Sequence, residues 1–350
     1  MPSSKTTKVL YAGDLRYGTT SRERMESLIE LGFDIVPFDI GTIYAPYHRV
    51  WRSLAWRIQI GPVIARANEM IIRLANSTKF DVVWVDKGTW LRPETVIHLR
   101  KKSQAKMALH YTPDAAFYSN RSRLFMKSMP HFDLCVTTKP FELKMYSAAK
   151  AKQTLMVLQG YSRSFDHVHA QRVQSNSNVC DVIFVGHRQS HYERCLKALA
   201  LSGVDVAIHG AQWVNFEKNA DWARGYVKSD GLWGLDYVLA LSTSRIGIGL
   251  LSKYIPETTT TRTFEIPASG SFLLAERTDD HLTLFEENKE AVYWTSSEEL
   301  IDKAKFYLKN ETSRARIASA GRARCVSSAY GVLHQVSLIL KTLEIQLPAT

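Results

Sequence analysis

Short apolar runs alternate with amphipathic segments along most of the chain. Lys8-Val-Leu-Tyr-Ala-Gly-Asp14 reads as a first buried strand ending at a turn. Thr20-Ser-Arg-Glu23 has the spacing of a capping box, and Met25, Leu28 and Ile29 then share one helical face. Gly32 closes that helix, and Asp34-Ile-Val-Pro-Phe38 starts the next strand. Strand, helix and strand in such close succession form a βαβ unit, which implies parallel pairing and a right-handed crossover. The alternation continues through a strand at Phe80–Asp86, a helix from Arg92 to Lys102, and strands at Lys106–His110, Asp133–Thr137 and Thr154–Leu158.

A second series follows. Gln171 to Asn178 is polar and fits a linker. Asp181-Val-Ile-Phe-Val-Gly186 then reads as a buried strand, Ser190-x-x-Glu193 as the cap of a helix ending at Gly203, and Val204–Gly210 as another strand. Residues 214–236 carry no sharp motif, and Trp213, Trp222 and Trp233 fit core or rim positions. Asp236 to Ile248 returns to helix and strand. Thr261 to Glu276 predicts one short helix, a left-handed break at Gly270 and a strand, Phe272-Leu-Leu-Ala275, covered on both faces. The tail after Ala291 reads as helical, with a capping box at Ser296-x-x-Glu299 and Leu300, Ala304, Tyr307 and Leu308 turned inward.

Alternating strands and helices make open α/β sheets, whose ligands sit beyond the carboxyl ends of the strands. Asp14, Asp86, His110 and Asp114 fall at or near such ends. The Gly186 junction is a natural anion site, because free N–H groups and the positive dipole end of a helix favour phosphate. His187, Arg188 and Arg194 accompany it, and guanidinium groups grip phosphate oxygens in a planar fork. Glu257 and Glu265 form Glu-x7-Glu around the next helix entrance, and ionised carboxylates accept hydrogen bonds from paired hydroxyls. Spacing alone favours two solvated surface acids, since most glutamates are exposed.

Composition narrows the classes. At 350 residues two domains fit better than one, and 45% hydrophobic with 23% charged residues describes a folded chain. The net charge of +11 points to an anionic partner, yet no arginine-rich tail or nucleic-acid motif is present, so nucleic acid is not expected. Cys135, Cys180, Cys195 and Cys325 are scattered without a C-x-x-C pair, which fits a reducing compartment. Neither a signal-peptide pattern nor a run of ~18 apolar residues occurs, so a cytoplasmic protein is the default expectation. Gly13 and Gly18 are only a loose glycine pair, which disfavours a nicotinamide dehydrogenase. Arg49, Trp51, Arg52, Trp56, Arg57, Arg66 and Arg73 make residues 47–76 basic and aromatic. Arg52, Arg66 and Arg73 are spaced by multiples of seven and would share a face of a continuous helix, which Pro62 interrupts. One reading is peripheral contact of residues 49–73 with an anionic membrane or a lipid-linked acceptor. The favoured one is a packed helix pair with solvated arginines.

Arg262-Thr-Phe-Glu-Ile-Pro-Ala-Ser-Gly-Ser-Phe-Leu-Leu-Ala-Glu276 resembles the signature of the spore-maturation (CgeB-like) glycosyltransferases, relatives of the group-1 glycosyltransferases of the GT-B fold. The resemblance continues through Leu284–Trp294, Glu299-Leu300 and Arg316–Arg322, and covers most of residues 180–325. It implies an α/β protein of two Rossmann-like domains facing across a cleft. Residues 1–165 would form the acceptor domain, with Gln159–Asp166 as the crossover, and 166–329 the donor domain. Residues 330–350 would cross back, with Tyr330 to Leu343 as the helix. The implied donor is a nucleotide-diphosphate sugar, such as a UDP-sugar, held by Gly186, His187, Arg188, Arg194, Gly210, Arg262, Thr263 and Glu265. Glu265 would meet the ribose, and Arg188 or Arg194 the diphosphate. Such enzymes stabilise the leaving diphosphate with basic side chains and helix N-termini. No metal or other cofactor is expected, and Asp279-Asp280 lacks the D-x-D spacing of metal-dependent glycosyltransferases.

The acceptor would be a glycan, a lipid-linked molecule or a protein. Glu-x7-Glu is similar to the retaining group-1 pattern, but Thr258-Thr-Thr-Thr261 and Arg262 replace the usual Gly-Phe-Gly stretch, which leaves the role of Glu257 open. An inverting course would need a general base, Asp114 first and Asp14 second. A non-hydrolysing sugar-nucleotide epimerase and a non-catalytic sugar-nucleotide or glycan-binding protein are the alternatives.

Overall fold

A computed structural model describes residues 6–118, 120–172 and 180–345, so the Gln171–Asn178 linker lies mostly outside the described residues. The chain divides into two compact units, Met1–Leu158 with Val332–Thr350, and Gln159–Gly331.

The first unit holds strands β1 (Lys8–Gly13), β2 (Asp34–Asp39), β3 (Val82–Asp86), β4 (Met107–Thr112), β5 (Leu134–Thr137) and β6 (Thr154–Met156). They form one sheet in the order β2-β1-β3-β4-β5-β6, and every pair is parallel. Pro37 is tolerated because β2 is an edge strand, where a missing N–H breaks no interior ladder. Side chains alternate between two buried faces, so these strands read as continuous apolar runs. Leu10, Val83 and Val85 pack towards Ile64, Ile71 and Leu99 on one face. Val9, Tyr11 and Trp84 pack on the other with Leu28, Val336 and Ile339, the last two from the terminal Val332–Thr342 helix.

The second unit holds β7 (Cys180–Val185), β8 (Val206–His209), β9 (Val227–Ser229), β10 (Ser244–Gly249), β11 (Phe272–Glu276) and β12 (Val292–Trp294). Their order is β12-β11-β10-β7-β8-β9, again all parallel. Gly270 has φ 81°, the left-handed exit that turns the Thr261–Ala268 helix into β11. Phe272, Leu273, Leu274 and Ala275 are all buried, as an interior parallel strand requires. β12 corrects the sequence reading, since the tail after Ala291 is not wholly helical, and β9 adds a strand within residues 214–236, which carry no sharp motif. Each is a three-residue edge strand, too short to show a period, and its partner strand supplies the geometry.

Two caps also differ from expectation. Thr19, one residue early, caps the Thr20–Glu30 helix by accepting from the Arg22 N–H at 3.3 Å. The Ser190–Leu201 helix has Gln189 at its N-cap, and among the described residues no side chain caps it.

The basic segment splits into helices Arg49–Ile58 and Pro62–Ser77, with left-handed Gln59 (φ 55°) and Gly61 (φ 98°) between them. Arg52 therefore shares no continuous face with Arg66 and Arg73, both of which pair with Glu69. The packed-helix reading holds for the second helix, whose Val63, Ile64, Ala67, Ile71 and Ala75 are core. It fails for the first, where Ala55 alone is buried.

Candidate functional site

Open parallel sheets bind ligands where the strand order reverses, because the loops leaving adjacent strands part there and leave a crevice. In the second unit this point lies between β7 and β10. Gly186 follows β7. Its N–H donates to His209 O at 2.9 Å, and its carbonyl accepts from Trp213 Nε1 at 2.9 Å. Gly210 packs directly on it: with φ 142°, a Cβ there would sit 2.1 Å from the Gly186 oxygen. Only glycine permits this approach.

The loop after β10 carries Glu257, which accepts from the Ser252 N–H at 2.9 Å. Ser252 Oγ donates to Gln189 Oε1 at 3.0 Å, which leaves the Gln189 amide to donate to His187 Nε2 at 2.8 Å. Burial and the nearby Arg262 guanidinium push the His187 pKa down, so the ring is neutral with its proton on Nδ1. Arg262, in the first turn of the Thr261–Ala268 helix, reaches back to β7. Its Nη1 donates to Val185 O at 3.1 Å, and its guanidinium lies 5.7 Å from the Phe184 ring centroid. The glycine junction, Glu257, His187 and Arg262 are thus brought together.

Glu265 sits one turn further along this helix and is buried. The Tyr237 hydroxyl donates to its Oε2 at 2.6 Å. Burial pushes its carboxyl up to about 7, against the opposing effects of Tyr237 and Arg262. It is no solvated surface acid. Thr263 is used locally. Its Oγ1 accepts from the Thr260 N–H at 3.1 Å and donates to His281 Nε2 at 2.9 Å, since His281 Nδ1 donates to Glu276 O. Arg188 pairs with Glu193 at 2.5 Å and lies 4.0 Å from the Phe216 ring centroid, so its guanidinium faces that intradomain cluster. Arg194 is exposed on the Ser190–Leu201 helix.

In the first unit the order reverses between β1 and β3. Asp14 follows β1 and is held below the ordinary carboxylate range by its hydrogen bonds from Arg16. Asp114, beyond β4, pairs with Lys87 at 2.9 Å. Asp86 is structural: it takes both Arg24 Nε at 2.7 Å and Nη2 at 3.1 Å, and the Tyr11 hydroxyl at 2.9 Å. His110 is buried against Phe125 with ring centroids 3.9 Å apart. Burial lowers its pKa to about 4. It lines a cavity of about 190 Å³ together with Lys87, Thr112 and Asp114. Among the described residues, no group of three or more His, Cys, Asp or Glu side chains is placed to hold a metal. No described helix is long and apolar enough to cross a membrane.

Comparison with known proteins adds to this geometry. Residues 188–341 match the sequence profile of a family described as glycosyl transferase-like. Among curated proteins no relative matches. The chain superposes on a glycosyltransferase from Rickettsia africae ESF-5 with a TM-score of 0.67 and 15% identity, covering 99% of this chain and 100% of that one. It superposes on Anabaena Alr3699/HepE in complex with UDP and glucose with a TM-score of 0.60 and 14% identity, covering 97% and 100%. Sucrose-phosphate synthase (tll1590) from Thermosynechococcus elongatus gives 0.63 at 11% identity, covering 97% and 99%. The fold is GT-B.

In this GT-B chain the sequence reading passed over two residues. Glu276 ends β11, and burial would raise its carboxyl. Hydrogen bonds from His191 Nε2 at 2.9 Å, the Leu251 N–H at 2.7 Å and Lys253 Nζ outweigh that and hold it below the usual range. It therefore ties the Leu250–Glu257 loop to the Ser190–Leu201 helix. An acid closing an otherwise apolar buried strand was its signal. Tyr237, the partner of Glu265, lies 28 residues before it and carries no local signal.

Proposed function

We propose that this protein transfers a glycosyl group from a nucleotide-diphosphate sugar to an acceptor hydroxyl, with the donor held at the β7/β10 reversal of the second unit. The observation that carries this is Glu265, a buried carboxylate one turn into the helix that also bears Arg262. Burying a carboxylate is costly unless partners compensate, and Tyr237 supplies one hydrogen bond. A ribose diol supplies two more donors and favours the ionised form. Arg262 and the uncapped amino end of the Ser190–Leu201 helix support a diphosphate beside Gly186. Their positive charge would stabilise the oxyanion that develops as the diphosphate departs, without a metal. Neutral His187 is suited to donate Nδ1–H to a donor oxygen.

Retention of configuration is the favoured course. The Glu-x7-Glu pattern supports it, and the bases an inverting enzyme would need are engaged, Asp114 with Lys87 and Asp14 with Arg16. The HepE complex makes UDP the first base to try. The Arg262–Glu276 signature supports a CgeB-like branch. Titration with UDP-sugars tests the proposal. Glu265→Gln should weaken binding about tenfold or more, the worth of a hydrogen bond to a charged group. Equal affinity in the variant would remove the reading. Conversion of the donor to an epimer without acceptor would point to an epimerase instead.

A further inference from the structure

The Arg49–Ile58 helix buries only Ala55, while Val50, Trp51, Trp56, Ile58 and the following Ile60 are each between 44% and 62% exposed. Clustered exposure of this kind on a water-facing surface marks an interaction site. Residues 40–68 contain Arg49, Arg52, Arg57 and Arg66 and not one acid. Tryptophan and aliphatic side chains on a short helix fit the lipid–water boundary, where arginine stems reach back to headgroups. The arginines complement an anionic leaflet, and ten residues can lie on such a surface but not span it.

The same helix also forms one wall of the 190 Å³ cavity, through Trp56 and Arg57. Lys87 and Arg121 add positive charge there against the single acid Asp114, and the hydroxyl of Thr89 and the amide of Asn120 add polar groups. Buried His110 forms part of the lining. Gln59 anchors the carboxyl end of the helix to this cavity: its Oε1 accepts from the Arg123 N–H at 3.1 Å and its Nε2 donates to Trp56 O at 3.2 Å.

We infer that the acceptor is an anionic membrane phospholipid that offers a hydroxyl of its headgroup. The Arg49–Ile58 helix lies in the leaflet surface, and the cavity takes the phosphate-bearing headgroup beside Arg57, Lys87 and Arg121. This rests on the glycosyl-transfer reading for the fate of the lipid. A headgroup hydroxyl forms the new bond to the anomeric carbon as the bond to the diphosphate oxygen breaks, and its proton passes to the departing diphosphate.

The test has two arms, both read without nucleotide sugar, so their failure leaves the donor reading standing. In the first, the full chain is sedimented with phosphatidylcholine vesicles, with and without phosphatidylglycerol. Binding is expected only with phosphatidylglycerol, weakening with salt. Arg49→Gln should lower it about fivefold. The Trp51→Ala/Trp56→Ala double variant should lower it about tenfold or more, with an unchanged melting temperature because both rings are on the surface. Absence of an anionic preference, or undiminished binding by the variants, overturns the membrane surface. So does a dimer that these variants dissociate in the absence of vesicle binding. In the second arm, glycerol phosphate should raise the melting temperature of the parent and not of Arg121→Gln. An equal shift in both, or none in the parent, overturns the headgroup site.

Discussion

Replacing Glu265 by glutamine should stabilise the unliganded protein at neutral and alkaline pH while weakening donor binding. The folded carboxyl titrates at about 7, against 4.5 for a free glutamate side chain. Below pH 4.5 both folded and unfolded forms are protonated, and the shift has no effect on stability. Between 4.5 and 7 the unfolded chain ionises first, so folding loses stability as pH rises, and the full penalty is present above 7. At ~1.4 kcal/mol per pH unit the ceiling is about 3 kcal/mol. A glutamine amide lacking its own partner takes back 1–3 kcal/mol, so a net gain of about 1 kcal/mol is expected. In a unit of this size that is a rise in Tm of roughly 2–4 °C at pH 8. At pH 4.5, where the penalty is nearly absent, the unpartnered amide should leave the variant about 1–3 kcal/mol less stable than the parent. Thermal melts of parent and variant between these pH values make the measurement. A difference that does not change with pH, or a variant less stable at pH 8 than at pH 4.5 relative to the parent, would refute a buried, ionisable Glu265. Donor affinity of the parent should rise with pH through about 7, because the ionised form is the one that accepts from a diol.

Three further perturbations follow from the geometry. Gly210→Ala places a Cβ on the Gly186 carbonyl and should cost about 1–3 kcal/mol or more in urea unfolding, with donor binding lost as Gly186 shifts. Asp86→Asn leaves Arg24 buried without its counter-charge and should cost about 3–5 kcal/mol, read as a lower denaturation midpoint. Glu276→Gln should release the Leu250–Glu257 loop, seen as faster tryptic cleavage after the exposed Lys253, with donor affinity falling severalfold and the helices unchanged by circular dichroism.

Much of the architecture was legible in the chain as written. Unbroken apolar runs such as Val182–Val185 and Phe272–Ala275, separated by amphipathic segments, require helices on both sides of a parallel sheet. Gly270 marks a helix exit because only left-handed backbone makes that turn cheaply. The same local logic located the Gly186 junction and the helix that carries Arg262 and Glu265. Periodicity reports which side of an element faces inward, and it carries no information about which element lies beside which. Strand order sets β10 against β7, and through it the Glu257 loop beside His187. Glu265 became a buried, half-titrated group only because Tyr237 and the sheet close over it. Asp86 was taken out of the site by Arg24, 62 positions away. The Arg49–Ile58 helix, expected to pack as one of a pair, buries only Ala55, while the Pro62–Ser77 helix contributes Val63, Ile64, Ala67, Ile71 and Ala75 to the core. Burial and partnership are properties of the assembled layers, so they came from packing.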